Sequence, residues 1–147
     1  MRKEVESLLN NLKIKWRIGK PISLVQIGEL EKELGLLLPT SYRQFIQELG
    51  FLVASGNDYL GFYGKDFTDP STFIGLTLRM RNEGNIDYSL IAVHNNEDFG
   101  IVCLNTEKCI NDECEVVFWD PWRKEIIEVI ASSYKDFLFA EIASMAE

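Results

Sequence analysis

The sequence is poor in the residues that most covalent and metal chemistry relies on. Its 147 residues include one histidine, His94, and three cysteines, Cys103, Cys109 and Cys114. An odd thiol count cannot complete a disulfide framework without a leftover. No apolar run approaches the roughly 20 residues that a membrane span needs. The opening segment, MRKEVESLLNNLKIKW, carries charges throughout, where a secretory signal needs an apolar stretch and a small-residue cleavage site. Few cysteines and no such signal lead to an expected location in a reducing cytoplasm. Positive charge is scarce too: 15 Lys and Arg stand against 23 Asp and Glu, for a net charge of −8. This argues against nucleic acid or a membrane surface as the direct partner, because phosphate contact needs a basic face, and leaves room for a basic protein. Repeats, low-complexity tracts and Pro/Ser/Gly linkers are also missing, so residues 1–147 read as a single domain. The chain is 46% hydrophobic, enough at this length for one core.

The first 50 residues have helical periodicity. Val5, Leu8, Leu9 and Leu12 fall on one face. Ser23 with Gln26 three residues later forms a capping box, Ile22 and Ile27 suit a hydrophobic staple, and Gly35 suits the left-handed stop. Leu38-Pro39 breaks the chain, and Thr40 or Ser41 then starts a helix whose apolar face is Tyr42, Phe45, Ile46 and Leu49, ending at Gly50. A short helix is expected after Asp69-Pro70. Strands are expected around 51–53, 59–63, 90–93, 99–104, 115–119 and 125–130. Ile101 and Cys103 would share one sheet face, and Val102 and Leu104 the other. A closing helix follows Ser132 or Ser133. Helices, then strands, then a helix indicate an α+β fold, a mostly antiparallel sheet with helices packed around it.

Few constellations suggest chemistry. His94 with the three cysteines gives four soft ligands, but the C-x5-C-x4-C spacing lacks the tight pairs that grip zinc, and His94 falls in an expected loop. No metal or cofactor is expected. The acidic neighbours of Cys114 disfavour a thiolate nucleophile. No G-x-S-x-G elbow surrounds any serine, and the adjacent acids Glu97-Asp98 and Asp112-Glu113 read first as solvated turns, although a hydrolase could use such pairs. Trp119 is expected to end a buried strand before Asp120. Trp122 is a candidate interface anchor, and with the Tyr59 to Tyr63 aromatics it could instead serve a small molecule or glycan.

The order of elements, with particular strings, resembles the SUKH superfamily of Smi/Knr-type domains. One signature runs from Ile27, Leu30 and Glu31 through Leu34-Gly35, Leu38-Pro39, Tyr42, Phe45 and Gly50. Others are Ile91-Ala92 with Asp98, Gly100 and Cys103-Leu104, the strand end Val116 to Trp119-Asp120, and the last helix with Ser133, Phe137 and Leu138. The resemblance implies a SUKH-like α+β domain. It also implies a bacterial immunity protein that binds and neutralises a polymorphic toxin, or else a regulatory module of the cell-wall type that binds a ligand or glycan. No catalytic residue is carried over with the resemblance, and no enzymatic activity is expected.

The charge is unevenly placed. Residues 1–50 carry a net +2, residues 51–121 carry −8 and the remainder −2. Asp66, Asp69, Glu97, Asp98, Asp112 and Glu113, with Trp122, are therefore the expected contacts for a basic, nuclease-type toxin domain.

Overall fold

The computed structural model describes residues 1–96 and 100–146. Helix α1 (Arg2–Asn11) buries Val5 and Leu9, and a short strand β1 (Trp16–Ile18) follows. Helix α2 (Leu24–Leu34) has the capping box of Ser23 and Gln26, and Gly35 closes it with φ 75°. Helix α3 (Thr40–Leu49) buries Tyr42, Phe45, Ile46 and Leu49. Strands β2 (Leu52–Ala54) and β3 (Asn57–Tyr59) form a tight hairpin about Ser55 and Gly56.

Helix α4 (Phe73–Asn82) starts three residues later than Asp69-Pro70 suggests. The Thr72 hydroxyl caps it by accepting from the Gly75 amide, while the Asp69 carboxylate accepts from the Ser71 amide in the preceding turn. Strands β4 (Leu90–Asn96), β5 (Gly100–Ile110), β6 (Glu113–Asp120) and β7 (Glu125–Ala131) form an antiparallel meander, and helix α5 (Tyr134–Ser144) ends the fold under a Ser133 cap.

The strands make two antiparallel sheets, β1-β2-β3 and β4-β5-β6-β7, rather than one. The larger sheet is covered on both faces. Ile91, Val93, Val102, Leu104 and Val116 join the main core with the aromatics of α3 and α5. Ala92, Ile101, Cys103, Val117 and Trp119 face the other way, against Met80 and Leu76 of α4. Trp119 is buried at that strand end, and its indole donates to the Asn85 carbonyl at 2.8 Å. Gly100 sits at φ 112°, with its Cα against the Trp119 carbonyl, where a side chain would collide.

The motif residues of the N-terminal half hold the fold. Leu30, Leu34, Leu38, Tyr42 and Phe45 are all buried. Glu31 accepts from the Leu38 amide at 2.7 Å and pairs with Arg43, which also donates to the Leu38 carbonyl, so Leu38-Pro39 is clamped between α2 and α3. The Tyr42 hydroxyl donates to the Leu60 carbonyl at 2.7 Å. Gly50 adopts φ 75° with its Cα against the Lys20 carbonyl, a position that excludes a side chain.

Cys109 and Cys114 face each other across the β5–β6 hairpin and are disulfide-bonded, which leaves Cys103 as the free thiol, buried between the sheet and α4. Antiparallel pairing sets these two directly opposite, a relation that the C-x4-C spacing does not reveal without the turn, and their bond counts against the reducing compartment expected from cysteine usage. No helix among the described residues is long and apolar enough to cross a membrane.

Candidate binding groove

A groove of about 1570 Å³ opens between the small sheet, the end of β4, α4 and the last turns of α5. Arg17 and Lys20 line it at β1, Tyr63 and Ser71 in the β3–α4 connection, and Arg79 on α4. Its polar floor is made by Asp58, Tyr59, His94 and Glu141.

A β-bulge puts His94 there. Ala92 pairs with Cys103 and His94 with Val102, so Val93 is an extra residue in β4. Strict alternation would turn His94 towards α4. The bulge instead sets Val93 and His94 both on the α5 side of the sheet, with Val102. The expectation of a loop histidine is thereby corrected: His94 lies within β4 and is only 5% exposed.

The floor is held rigidly. The His94 Nδ1 lies 2.7 Å from the Asp58 carbonyl oxygen. A carbonyl only accepts, so Nδ1 carries the proton and donates. The imidazole stacks on the Tyr59 ring, with centroids 4.6 Å apart and planes 11° apart, and Phe137 flanks it at 6.2 Å. The Tyr59 hydroxyl donates to Glu141 Oε1 at 3.1 Å. That same oxygen faces His94 Nε2 at 3.9 Å. Burial, and then the charge of Glu141, push the Tyr59 phenol well above its ordinary range, so it stays protonated and fixed as a donor.

The acidic side chains singled out from the sequence are dispersed. Asp66 accepts from the amide and hydroxyl of Thr68, and these bonds hold its carboxyl below the usual range. Asp69 is lowered by the Ser71 amide and then by the Tyr63 hydroxyl, which donates to it at 2.9 Å. Asp112 is exposed in the β5–β6 turn. Glu113 accepts from the amide and hydroxyl of Ser41 at 3.1 and 3.0 Å, and so caps α3.

Trp122 is 92% exposed in the β6–β7 turn, where the Asp120 carboxylate accepts from its amide. The turns holding Glu113 and Trp122 are separated by the length of β6, roughly 23 Å at about 3.3 Å per residue, and sit at opposite ends of the meander. Glu97 and Asp98 lie outside the described residues. The structure therefore does not gather this set onto one patch.

The three cysteines and His94 are not brought together either. Two cysteines bond each other, Cys103 faces α4 and His94 faces α5. Among the described residues no three His, Cys, Asp or Glu side chains form a group that could hold a metal ion. Burial pushes the Cys103 thiol far up, away from a reactive thiolate.

Sequence reasoning missed Glu141 as a site residue. Glu141 is 82 residues from its Tyr59 partner, and on α5 it reads as one more exposed acid.

The family model SUKH_5, described as SMI1-KNR4 cell-wall, matches residues 1–142. The chain belongs to the SUKH family. That family includes immunity proteins and Smi1/Knr4-like members. In this SUKH domain the matched stretch covers both sheets, all five helices up to Ile142, and the whole groove.

Proposed function

We propose that this SUKH protein is a bacterial immunity protein that binds a cognate toxin domain and neutralises it by occupation rather than by catalysis. The observation that carries the reading is the groove itself, on a chain of this family. At about 1570 Å³ it exceeds the roughly 300–1,000 Å³ of ordinary small-molecule pockets, and its floor is polar rather than apolar. A rigid, open and polar concavity suits a protein surface.

The chain's net −8 charge favours encounter with a basic partner such as a nuclease-type domain through the field of the whole molecule, not through one acidic patch. The ligand- or glycan-module reading draws on Trp122 and the Tyr59–Tyr63 aromatics. Tyr59 is buried and Trp122 lies outside the groove lining, which leaves Tyr63 as the exposed tyrosine of that stretch.

The test is co-expression with the toxin domain encoded beside this gene. Growth rescue with one-to-one co-purification is the expected result. Neither rescue nor co-purification overturns the reading.

A further inference from the structure

We propose that His94 and Glu141 form a socket for one lysine or arginine side chain of the protein partner. The proposal rests on the reading of this protein as a binder of a basic toxin domain, and assigns that binding a place away from the acidic turns.

The Asp58 carbonyl commits the imidazole proton to Nδ1. In the neutral ring Nε2 is then an acceptor, and it faces a carboxylate oxygen, also an acceptor, at 3.9 Å. The two cannot hydrogen-bond each other in that state. They cannot turn apart easily either, because the ring is stacked on Tyr59 and the carboxylate is held by the Tyr59 hydroxyl.

One N–H-bearing group set between two acceptors at this separation lies about 2.8–3.0 Å from each, the ordinary length of such bonds. An ammonium with three hydrogens, or a guanidinium fork, donates to both at once. Asp58 lines the same groove, but so do the cations Arg17, Lys20 and Arg79, so the pull on a lysine or arginine comes from the two acceptors themselves.

The protein's own cations do not serve this role. Arg79 pairs with Glu83 at 2.9 Å, and Arg17 lies over the Phe51 ring. Among the described residues neither they nor Lys20 pairs with Glu141, whose ion-pair contact is His94 itself. His94 is thus a polar side chain more than nine-tenths buried that lines the groove, and its second nitrogen faces Glu141, another lining residue, without a hydrogen-bond donor among the described residues.

The competing account is a self-contained pair, an imidazolium with both nitrogens protonated against Glu141. His94 is the only histidine, so its ring nitrogens report without ambiguity. The experiment is long-range ¹H–¹⁵N spectroscopy of the full labelled chain at neutral pH and fixed ionic strength. The probes are the capped tripeptides acetyl-Gly-Lys-Gly-amide and acetyl-Gly-Arg-Gly-amide, with the norleucine peptide as control.

The expected result is the Nδ1–H tautomer in the free protein, with a saturable Nε2 shift on adding the lysine or arginine peptide and none with norleucine. Glu141→Gln should weaken that response at least tenfold. A doubly protonated ring in the free protein, or basic peptides that leave His94 unmoved, overturns the socket.

The toxin domain supplies a second measurement. If it binds the wild type and Glu141→Gln equally while the peptides leave His94 unmoved, the socket falls and the immunity reading stands. If it binds neither, while the peptides shift His94 as expected, the immunity reading falls and the socket stands.

Discussion

Glu113 and Glu141 are both half-buried glutamates at junctions between the larger sheet's layer and the helices, yet they are used in opposite ways. Glu113 takes the amide and hydroxyl of Ser41 and completes the start of α3. Beside it the Asp112 carbonyl accepts from the Thr40 amide, and Ser41 Oγ in turn accepts from the Lys135 amide in the first turn of α5. The helix-start donors named here end on an acceptor within the chain, and the negative charge sits where the helix dipole favours it. Glu141 takes one hydroxyl, from Tyr59, and turns the same oxygen towards a nitrogen that has no proton to give in its neutral state. Polar groups satisfied internally stabilise a fold. Rigidly held groups left with an open acceptor are arranged for something outside it.

The largest effect should come from breaking the satisfied side of this contrast. Glu113→Ala leaves the Ser41 amide and hydroxyl, in a half-buried junction, without their acceptor. A loss of about 2 kcal/mol in urea unfolding is expected, with the His94 ring spectrum unchanged. A loss below about 0.5 kcal/mol would mean that the hairpin tip does not cap α3.

The disulfide Cys109–Cys114 closes the same hairpin. Replacing both cysteines by serine should cost somewhat less, about 1–2 kcal/mol, because the loop is short and closure entropy is small. Combined with Glu113→Ala the cost should be less than additive, since both changes free one tip. Strict additivity would show that the disulfide and the cap act separately.

An alkaline titration sharpens the other side. Burial raises the phenols of Tyr42 and Tyr134, and burial with the Glu141 charge raises that of Tyr59. A group raised in the folded state contributes stability that is fully present below its unfolded pKa, near 10, and is lost as pH rises towards the folded value. Stability should therefore fall above about pH 10. Tyr59→Phe should remove up to about 1 kcal/mol of the loss between pH 10 and 11, the share of one phenol. An identical slope in wild type and variant would mean that Tyr59 is not held as a buried donor to Glu141.

Much of the satisfied half was legible from the sequence. The Ser23–Gln26 box, the Gly35 stop and the two faces of β5 are local patterns, fixed within a few residues, and each appears in the structure as read; of the two serines offered as the last cap, Ser133 takes the role. Long-range partners were not legible. Glu113 looks like a turn acid because Ser41 is 72 residues away. His94 looks like a loop residue because it opens the polar run His94-Asn95-Asn96, and the bulge at Val93, which alternation cannot anticipate, decides which face it joins. Strand β1 has three residues and needs β2 to define it. The groove was illegible for the same reason: its floor draws on β3, β4 and α5, and the signal that could have flagged it was a lone histidine directly after the apolar run Leu90 to Val93.

The smallest expected effect is the most discriminating. Glu141→Gln keeps an oxygen that accepts from the Tyr59 hydroxyl, so a structural role confined to that bond survives the change. It removes only the charge facing Nε2. Thermal and urea unfolding should then shift by less than about 0.5 kcal/mol in either direction, the range of substitutions that leave packing and hydrogen bonds intact. A loss of 2 kcal/mol or more would instead place Glu141 with Glu113, as half of an internal ion pair whose partner is left buried and uncompensated. Near-constant stability, set beside the loss expected for Glu113→Ala, would separate the glutamate that builds the domain from the one that the domain holds out to a partner.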